Sequence, residues 1–352
     1  MPFLYAQITS FENLYRAYIA ARKGKRGRAE VAAFTYNLED ELFALQDELR
    51  AFAYTPGPYR SFTVHEPKRR LISAAPFRDR VVHHALVQVI EPLFERRFIF
   101  DSYANRVGKG THAALDRFTF FARRFQCVLS CDVREFFPSV DHAILRDQLA
   151  PVIRDETTLW LCDRILESGV GILSGEYSMV QFPGDDLLAA ARPRGLPIGN
   201  LTSQFWANVY LDALDQFVKH RLHCKGYLRY VDDFALFSDD KRELAEWRGA
   251  VIEHSAALRL TLHEERAQAQ LVGEGITFLG FRVFPHHRRL NSRRGHYARR
   301  RLCALAARVA AGRLPLARLS ASVMGWVVHA AHGDTEGLRR VVLSSLHFGV
   351  LA

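Results

Sequence analysis

Apolar positions along the chain recur at two spacings, and each change of spacing marks a new element. Phe11, Leu14, Tyr15 and Tyr18 keep helical spacing behind Thr9-Ser10-Phe11-Glu12, a run that fits a capping box. Leu38, Leu42, Leu45 and Leu49 form the stripe of a second amphipathic helix, which Pro56-Gly57-Pro58 ends. Phe62 and Val64 then alternate with polar residues, Pro67-Lys68-Arg69-Arg70 turns, and Leu71-Ile72 returns, so a basic hairpin or extended ribbon is predicted near 60–74. Residues 79–94 are predicted helical with Val82, Leu86, Val89, Ile90 and Leu93 inward, and His83 and His84 there read as packing. A helix follows over 111–125, a strand over 127–133, then helices after Asp141 and near 156–167. The Gly-rich stretch 169–194 has weak periodicity and reads as a variable loop or insertion. Residues 201–220 are strongly helical, with Phe205, Val209, Leu211 and Leu214 buried. A hairpin over 227–237, a helix over 241–258, strands near 260–262 and 276–284, and about fifty helical residues complete the chain.

The 352 residues suffice for two or three subdomains around a sizeable core. Lysine and arginine number 48 against 38 acids, a net charge of +10, and the basic residues cluster. They lie at 22–28, at Lys68-Arg69-Arg70, and over 286–301, where seven arginines stand without an acid. Clustered positive charge points to a polyanion, with nucleic acid first. Five cysteines are scattered without zinc spacing; Cys127 and Cys131 share one face of their strand as small core residues. With no signal peptide and no apolar run long enough for a bilayer, a reduced, cytoplasmic protein without membrane contact is expected.

The chemistry lies in Tyr227-Leu228-Arg229-Tyr230-Val231-Asp232-Asp233-Phe234-Ala235-Leu236-Phe237. Two adjacent carboxylates on an apolar hairpin repel each other and resist burial, and a divalent cation would remove that conflict. Asp132 ends another apolar strand, Cys127-Val128-Leu129-Ser130-Cys131. Two strands presenting three carboxylates at one place describe a two-metal phosphoryl-transfer site, with Mg²⁺ as the expected ion and Mn²⁺ as a substitute. An Asp-rich surface turn would explain neither the apolar flanks nor the Asp132 strand.

At this point the chain resembles the reverse transcriptases. Tyr230-Val231-Asp232-Asp233 is similar to their Tyr-x-Asp-Asp box, and other motifs come in the family's order: Asp132 to Phe137, Gly195-Leu196-Pro197-Ile198-Gly199-Asn200-Leu201-Thr202-Ser203-Gln204, and Phe278-Leu279-Gly280-Phe281. Four ordered motifs make the likeness specific. It implies an α+β right-hand polymerase: fingers and palm over 1–285, the palm carrying 126–142 and 195–285, and a small helical thumb over 286–352 that binds nucleic acid. The expected function is RNA-directed DNA synthesis from dNTPs, with template RNA and the RNA–DNA hybrid as partners. Asp132 and Asp232 become primary metal ligands, Val133 belongs to the same metal set, and Asp233 supports it. Phe137 is the steric gate against a ribose 2′-OH. Ile198, Gly199 and Gln204 shape the nucleotide pocket, and Arg70 with Lys68 grips the triphosphate. Arg266 stands where the family has a lysine; it can stabilise charge but is a poor proton donor. Arg106 and Lys109 read either as a fingers–template contact or as a helix-start loop. Arg288, Arg289, Arg293 and Arg294 are expected to hold the duplex backbone.

Within the family, the Ile-Gly-Asn-Leu-Thr-Ser-Gln run resembles diversity-generating retroelement enzymes, whereas group II intron enzymes typically carry Gln-Gly and end in Ser-Pro. Ile198 thus replaces a glutamine, which implies loosened base selection opposite template adenine and a small basic accessory oligomer as partner. An antiphage-defence enzyme, with templated, untemplated or protein-primed synthesis, shares these motifs. A non-catalytic RNA-binding scaffold is the reading from another class, and three intact acids argue against it.

Overall fold

The structure, a computed structural model, describes residues 4–65 and 69–346. Four helices open the chain: α1 (Leu4–Ile8), α2 (Phe11–Ala21), α3 (Ala29–Tyr36) and α4 (Leu38–Arg50). Helix α4 buries Leu42, Leu45 and Leu49 as its stripe predicts. The cap of α2 is Ser10, whose hydroxyl accepts from Asn13 N at 3.3 Å, one residue beyond the expected box. Thr9 is buried instead, and its carbonyl accepts from Gln46 Nε2 at 2.7 Å. Strands β1 (Arg60–Val64) and β2 (Arg70–Ala74) form the predicted hairpin. Helix α5 (Phe77–Glu95) then runs through the core against α2 and the helix at Leu201–His220.

The next elements are α6 (Thr111–Arg124), β3 (Cys127–Asp132), α7 (Phe136–Ser139), α8 (His142–Ile153), α9 (Glu156–Ser168) and α10 (Leu201–His220). The stretch between α9 and α10 holds only two short 3-10 turns, at Ser174–Glu176 and Ala189–Ala191, but it is tied to the fold by ion pairs. Arg192 forks onto Asp141, the N-cap of α8, at 2.6 and 3.0 Å, and Arg259 pairs with Asp185.

Strands β4 (Gly226–Tyr230) and β5 (Asp233–Ser238), helix α11 (Lys241–Ala257) and strand β6 (Ala269–Leu271) complete a four-stranded antiparallel sheet in the order β4-β5-β3-β6. Strand pleating puts alternate residues on opposite faces. Cys127, Leu129 and Cys131 join the large core with α10 and α11, while Val128 and its cross-strand partner Phe237 join a second core under α6. Both faces are covered, so these strands read as nearly continuous apolar runs.

The strand expected near 260–262 is only an isolated bridge, Val133 to Leu262. Backbone bonds from His263 N to Asp132 O and from Arg266 N to His263 O turn the chain away there, and the fourth strand forms later as β6. The stretch 276–284 is a hairpin, β7 (Ile276–Phe278) and β8 (Phe281–Val283), folded at Leu279 and Gly280, whose φ values are 46° and 90°. Strand β9 (Arg288–Leu290) adds a third member. Helices α12 (Ser292–Ala310), α13 (Leu316–Ala330) and α14 (Glu336–Ser344) form the helical end of the chain.

Candidate active site

Strand register assembles the acids. Asp132, the last residue of β3, lies opposite Asp233, the first of β5. Both follow the alternation of Val128–Ser130 and Phe237–Ala235, so they share one face. Val231 and Asp232 form the turn between β4 and β5, and Val133 N donates to Asp232 O at 3.3 Å. The three carboxylate residues therefore stand at one end of the sheet. Asp132 keeps 31% of its side chain exposed, and Arg266 Nη1 and His263 Nε2 each lie 3.9 Å from its Oδ2. Tyr230 hydrogen-bonds through its hydroxyl with Thr111 Oγ1 at 3.0 Å, bracing the hairpin against α6.

A hard divalent cation fits this donor chemistry: three aspartates supply carboxylate oxygens, and neither thiolate nor imidazole is needed among the donors. Among the described residues, no three or more His, Cys, Asp or Glu side chains converge closely enough as they stand to hold a metal ion, so an ion would have to draw these carboxylates together.

The 195–204 run forms a second wall. Leu196 N donates to Phe137 O and Gly195 N to Val140 O, both at 2.8 Å, which places half-buried Phe137 beside this loop. Ser73 N of β2 donates to Ile198 O at 2.8 Å. Gly199 has φ 119°, and a Cβ there would meet Ile72 Cγ2 at 3.0 Å, so only glycine lets the hairpin lie this close. Asn200, overlooked in the sequence as a structural group, is buried and stitches the two segments together. Its Nδ2 donates to Ser73 O and Pro197 O at 2.8 and 2.9 Å, and its Oδ1 accepts from Ala75 N at 3.0 Å. Gln204 is exposed on the first turn of α10. Arg70 is exposed at the start of β2, while Arg69 is paired with Glu176 at 2.9 Å. Lys68 lies outside the described residues.

The predicted basic contacts divide. Arg106 forks onto Glu95 and also donates to Ile99 O and Ser102 O, with 7% of its side chain exposed, which favours the helix-start-loop alternative. Lys109 donates to Phe100 O and sits 3.4 Å from the Phe100 ring centroid. Arg288 bonds Thr119 Oγ1 at 2.7 Å and Asp116 Oδ1 at 2.6 Å, fixing β9 to α6 rather than facing solvent. Arg289, Arg293 and Arg294 are exposed, and Arg294 lies against the Leu279–Gly280 turn.

A sheet with carboxylates at its open end, a hairpin docked beside it and a helical unit beyond defines a right-hand polymerase. The chain belongs to the reverse transcriptase family: the family model described as reverse transcriptase (RNA-dependent DNA polymerase) matches residues 64–283. Protein YkfC of Escherichia coli K12 is 25% identical over 290 residues, covering 69% of this chain and 71% of that protein. The group II intron-encoded protein LtrA of Lactococcus lactis subsp. cremoris is 23% identical over 212 residues, covering 59% of this chain and 33% of that protein. Among solved structures, apo telomerase from Candida tropicalis aligns with a TM-score of 0.51 at 10% identity, over 83% of this chain and 57% of that one, a likeness of fold. The chain thus spans well under two thirds of LtrA and of the telomerase chain. Among the described residues, no helix is long and apolar enough to cross a membrane.

Proposed function

We propose that this chain copies an RNA template into DNA from dNTPs, with Asp132, Asp232 and Asp233 holding two Mg²⁺ ions. The observation that carries this reading is the register of Asp132 opposite Asp233 beside the Asp232 turn, in a chain of this family. The bound ions would supply charge stabilisation for the attacking 3′-oxygen and the leaving pyrophosphate. The chain's own residues do the rest. Arg70 on the hairpin and Arg266 beside Asp132 offer guanidinium charge to the triphosphate. Phe137 sets its ring against the sugar. Ile198 and Gly199 bring apolar side chain and bare backbone to the nucleotide. Arg289, Arg293 and Arg294 hold the hybrid by its phosphates, in a thumb beginning near residue 286.

The test is primer extension on a defined RNA with Mg²⁺ and dNTPs, beside Asp232→Asn. Template-matched cDNA from the native chain and a loss of about a hundredfold or more in the variant is expected. Equal activity in the variant would sink the metal assignment. The finer reading is low fidelity opposite template adenine, and it rests on Ile198, whose side chain offers no hydrogen bond to a base. Ile198→Gln should then reduce those errors. An unchanged error spectrum in Ile198→Gln would remove the fidelity role from this side chain, and accurate copying by the native chain would favour a defence or other retroelement enzyme.

A further inference from the structure

Behind the carboxylates lies a buried ion pair that the reading above does not use. Arg229 of β4 and Asp215 of α10 both have side chains with no exposed surface. Arg229 Nε donates to Asp215 Oδ1 at 2.8 Å and Nη2 to Oδ2 at 2.7 Å, a two-pronged contact. Tyr227 OH donates to the same Oδ1 at 2.7 Å. The remaining nitrogen, Nη1, donates to Asn208 Oδ1 and to Val231 O, each at 3.2 Å.

Val231 is the residue that turns the chain into Asp232. Its φ is +54°, and a β-branched side chain in that region is strained, so the conformation persists only where its surroundings enforce it. Arg229 is itself fixed. Its N donates to Asp101 O and its O accepts from Tyr103 N, both at 2.9 Å, and Arg117 holds the Asp101 carboxylate at 2.8 and 3.0 Å.

We propose that Arg229 is a positioning residue for the metal-binding turn: anchored by Asp215, it holds Val231 O and thereby sets where the Asp232 and Asp233 carboxylates stand. Stability alone is a weak reason for such a pair, since a buried ion pair can often be replaced by apolar groups without loss. A strained turn that must be gripped is a specific reason. The planar fork also explains the choice of arginine. It reaches Asp215 and Val231 O at once, whereas a lysine ammonium is a point charge that serves one or the other.

The catalytic consequence rests on the reverse transcriptase reading; the grip on the turn does not, and the experiment separates the two. The full chain is compared with Arg229→Lys, with the paired Arg229→Met/Asp215→Asn, which removes both buried charges if the lysine variant folds poorly, and with Tyr227→Phe. The last perturbs the same buried cluster but leaves the Val231 bond. Folded fraction is measured by thermal melting, and hydrogen exchange is followed by mass spectrometry over 226–238. Primer extension is titrated with Mg²⁺. Both Arg229 variants should exchange faster at the turn by tenfold or more, lose at least tenfold in kcat, and need several-fold more Mg²⁺, with duplex Kd unchanged. Tyr227→Phe should keep native values in all three. If Tyr227→Phe matches the Arg229 variants at equal stability, the pair is merely structural and the proposal falls. It falls equally if folded Arg229 variants keep native exchange. Should the native chain polymerise nothing, the function reading fails, and exchange alone decides whether Arg229 grips the turn.

Discussion

Asn200→Ala tests how the β1–β2 hairpin is held over the site. Asn200 is 2% exposed and makes three backbone bonds, to Ser73 O, Pro197 O and Ala75 N. Alanine removes all three. Pro197 O keeps the Ser203 hydroxyl at 2.7 Å, so Ser73 O and Ala75 N are the groups that lose their asparagine partner. A buried polar group left unsatisfied costs about 1–3 kcal/mol, so the two together predict a loss of about 2–6 kcal/mol. The loss falls on the junction between hairpin and loop, because both groups belong to β2 and its exit. At the lower end, 2 kcal/mol is a factor of about thirty in the docked-to-undocked ratio. The Ser73 N–Ile198 O bond survives, so the hairpin loosens rather than detaches. Arg70 rides on that hairpin, and the KM for dNTP should rise several-fold while duplex Kd holds. Asn200→Asp should not rescue, since it keeps the acceptor for Ala75 N but turns a carboxylate toward two carbonyls. Urea denaturation and steady-state incorporation read both effects. A native urea midpoint together with a native KM would refute the stitching role.

Phe137→Ala should admit rNTPs, scored as the ratio of rNTP to dNTP kcat/KM; unchanged discrimination would remove the gate from this ring. Arg106→Ala should lower stability by about 1.5–3 kcal/mol, the range for hydrogen bonds to a charged group, because its guanidinium serves Glu95 and two carbonyls. Its template affinity should stay native, and a large fall in RNA binding without a stability change would contradict that assignment. Burial pushes the His83 imidazole down to about 3, with His84 and Arg80 adding repulsion. Its folded pKa lies below the unfolded 6.5, so the native state binds fewer protons; stability is full above pH 6.5 and falls as pH drops toward 3, by about 2 kcal/mol at pH 5. His83→Leu should flatten that fall between pH 7 and 5 in denaturant titrations; an unchanged slope would assign the acid sensitivity elsewhere.

What the sequence could and could not disclose follows from the range of the forces involved. Periodicity is local, so the long helices, the β1–β2 hairpin and the strands flanking Asp132 and Asp232–Asp233 were legible. The strand near 260–262 misled because Leu260 and Leu262 alternate correctly but pairing depends on what lies alongside, and there the backbone turns at His263 to meet Asp132 O. Arg288 misled in a related way, and Arg106 stayed open between two readings for the same reason. A positive charge in a sequence does not disclose its partner, and Glu95 or Asp116 becomes visible only once the chain has folded.

Arg229 shows where a stronger inference was available. A charge in the middle of an apolar strand cannot stay buried without an opposite charge and full hydrogen bonding. Gly226-Tyr227-Leu228-Arg229-Tyr230 therefore required a buried acid nearby, and the apolar helix 201–220 holds Asp212 and Asp215 as candidates. The structure selects Asp215 and leaves Asp212 partly desolvated, with burial foremost and the Asp215 charge behind it raising Asp212 to about 6. The choice between them is geometric: only Asp215 faces both the guanidinium and the Tyr227 hydroxyl. The sequence signal that singles out Arg229, a charge within an apolar strand two residues before the Val231-Asp232 turn, thus lay in the same eleven residues that hold the candidate metal-binding acids Asp232 and Asp233.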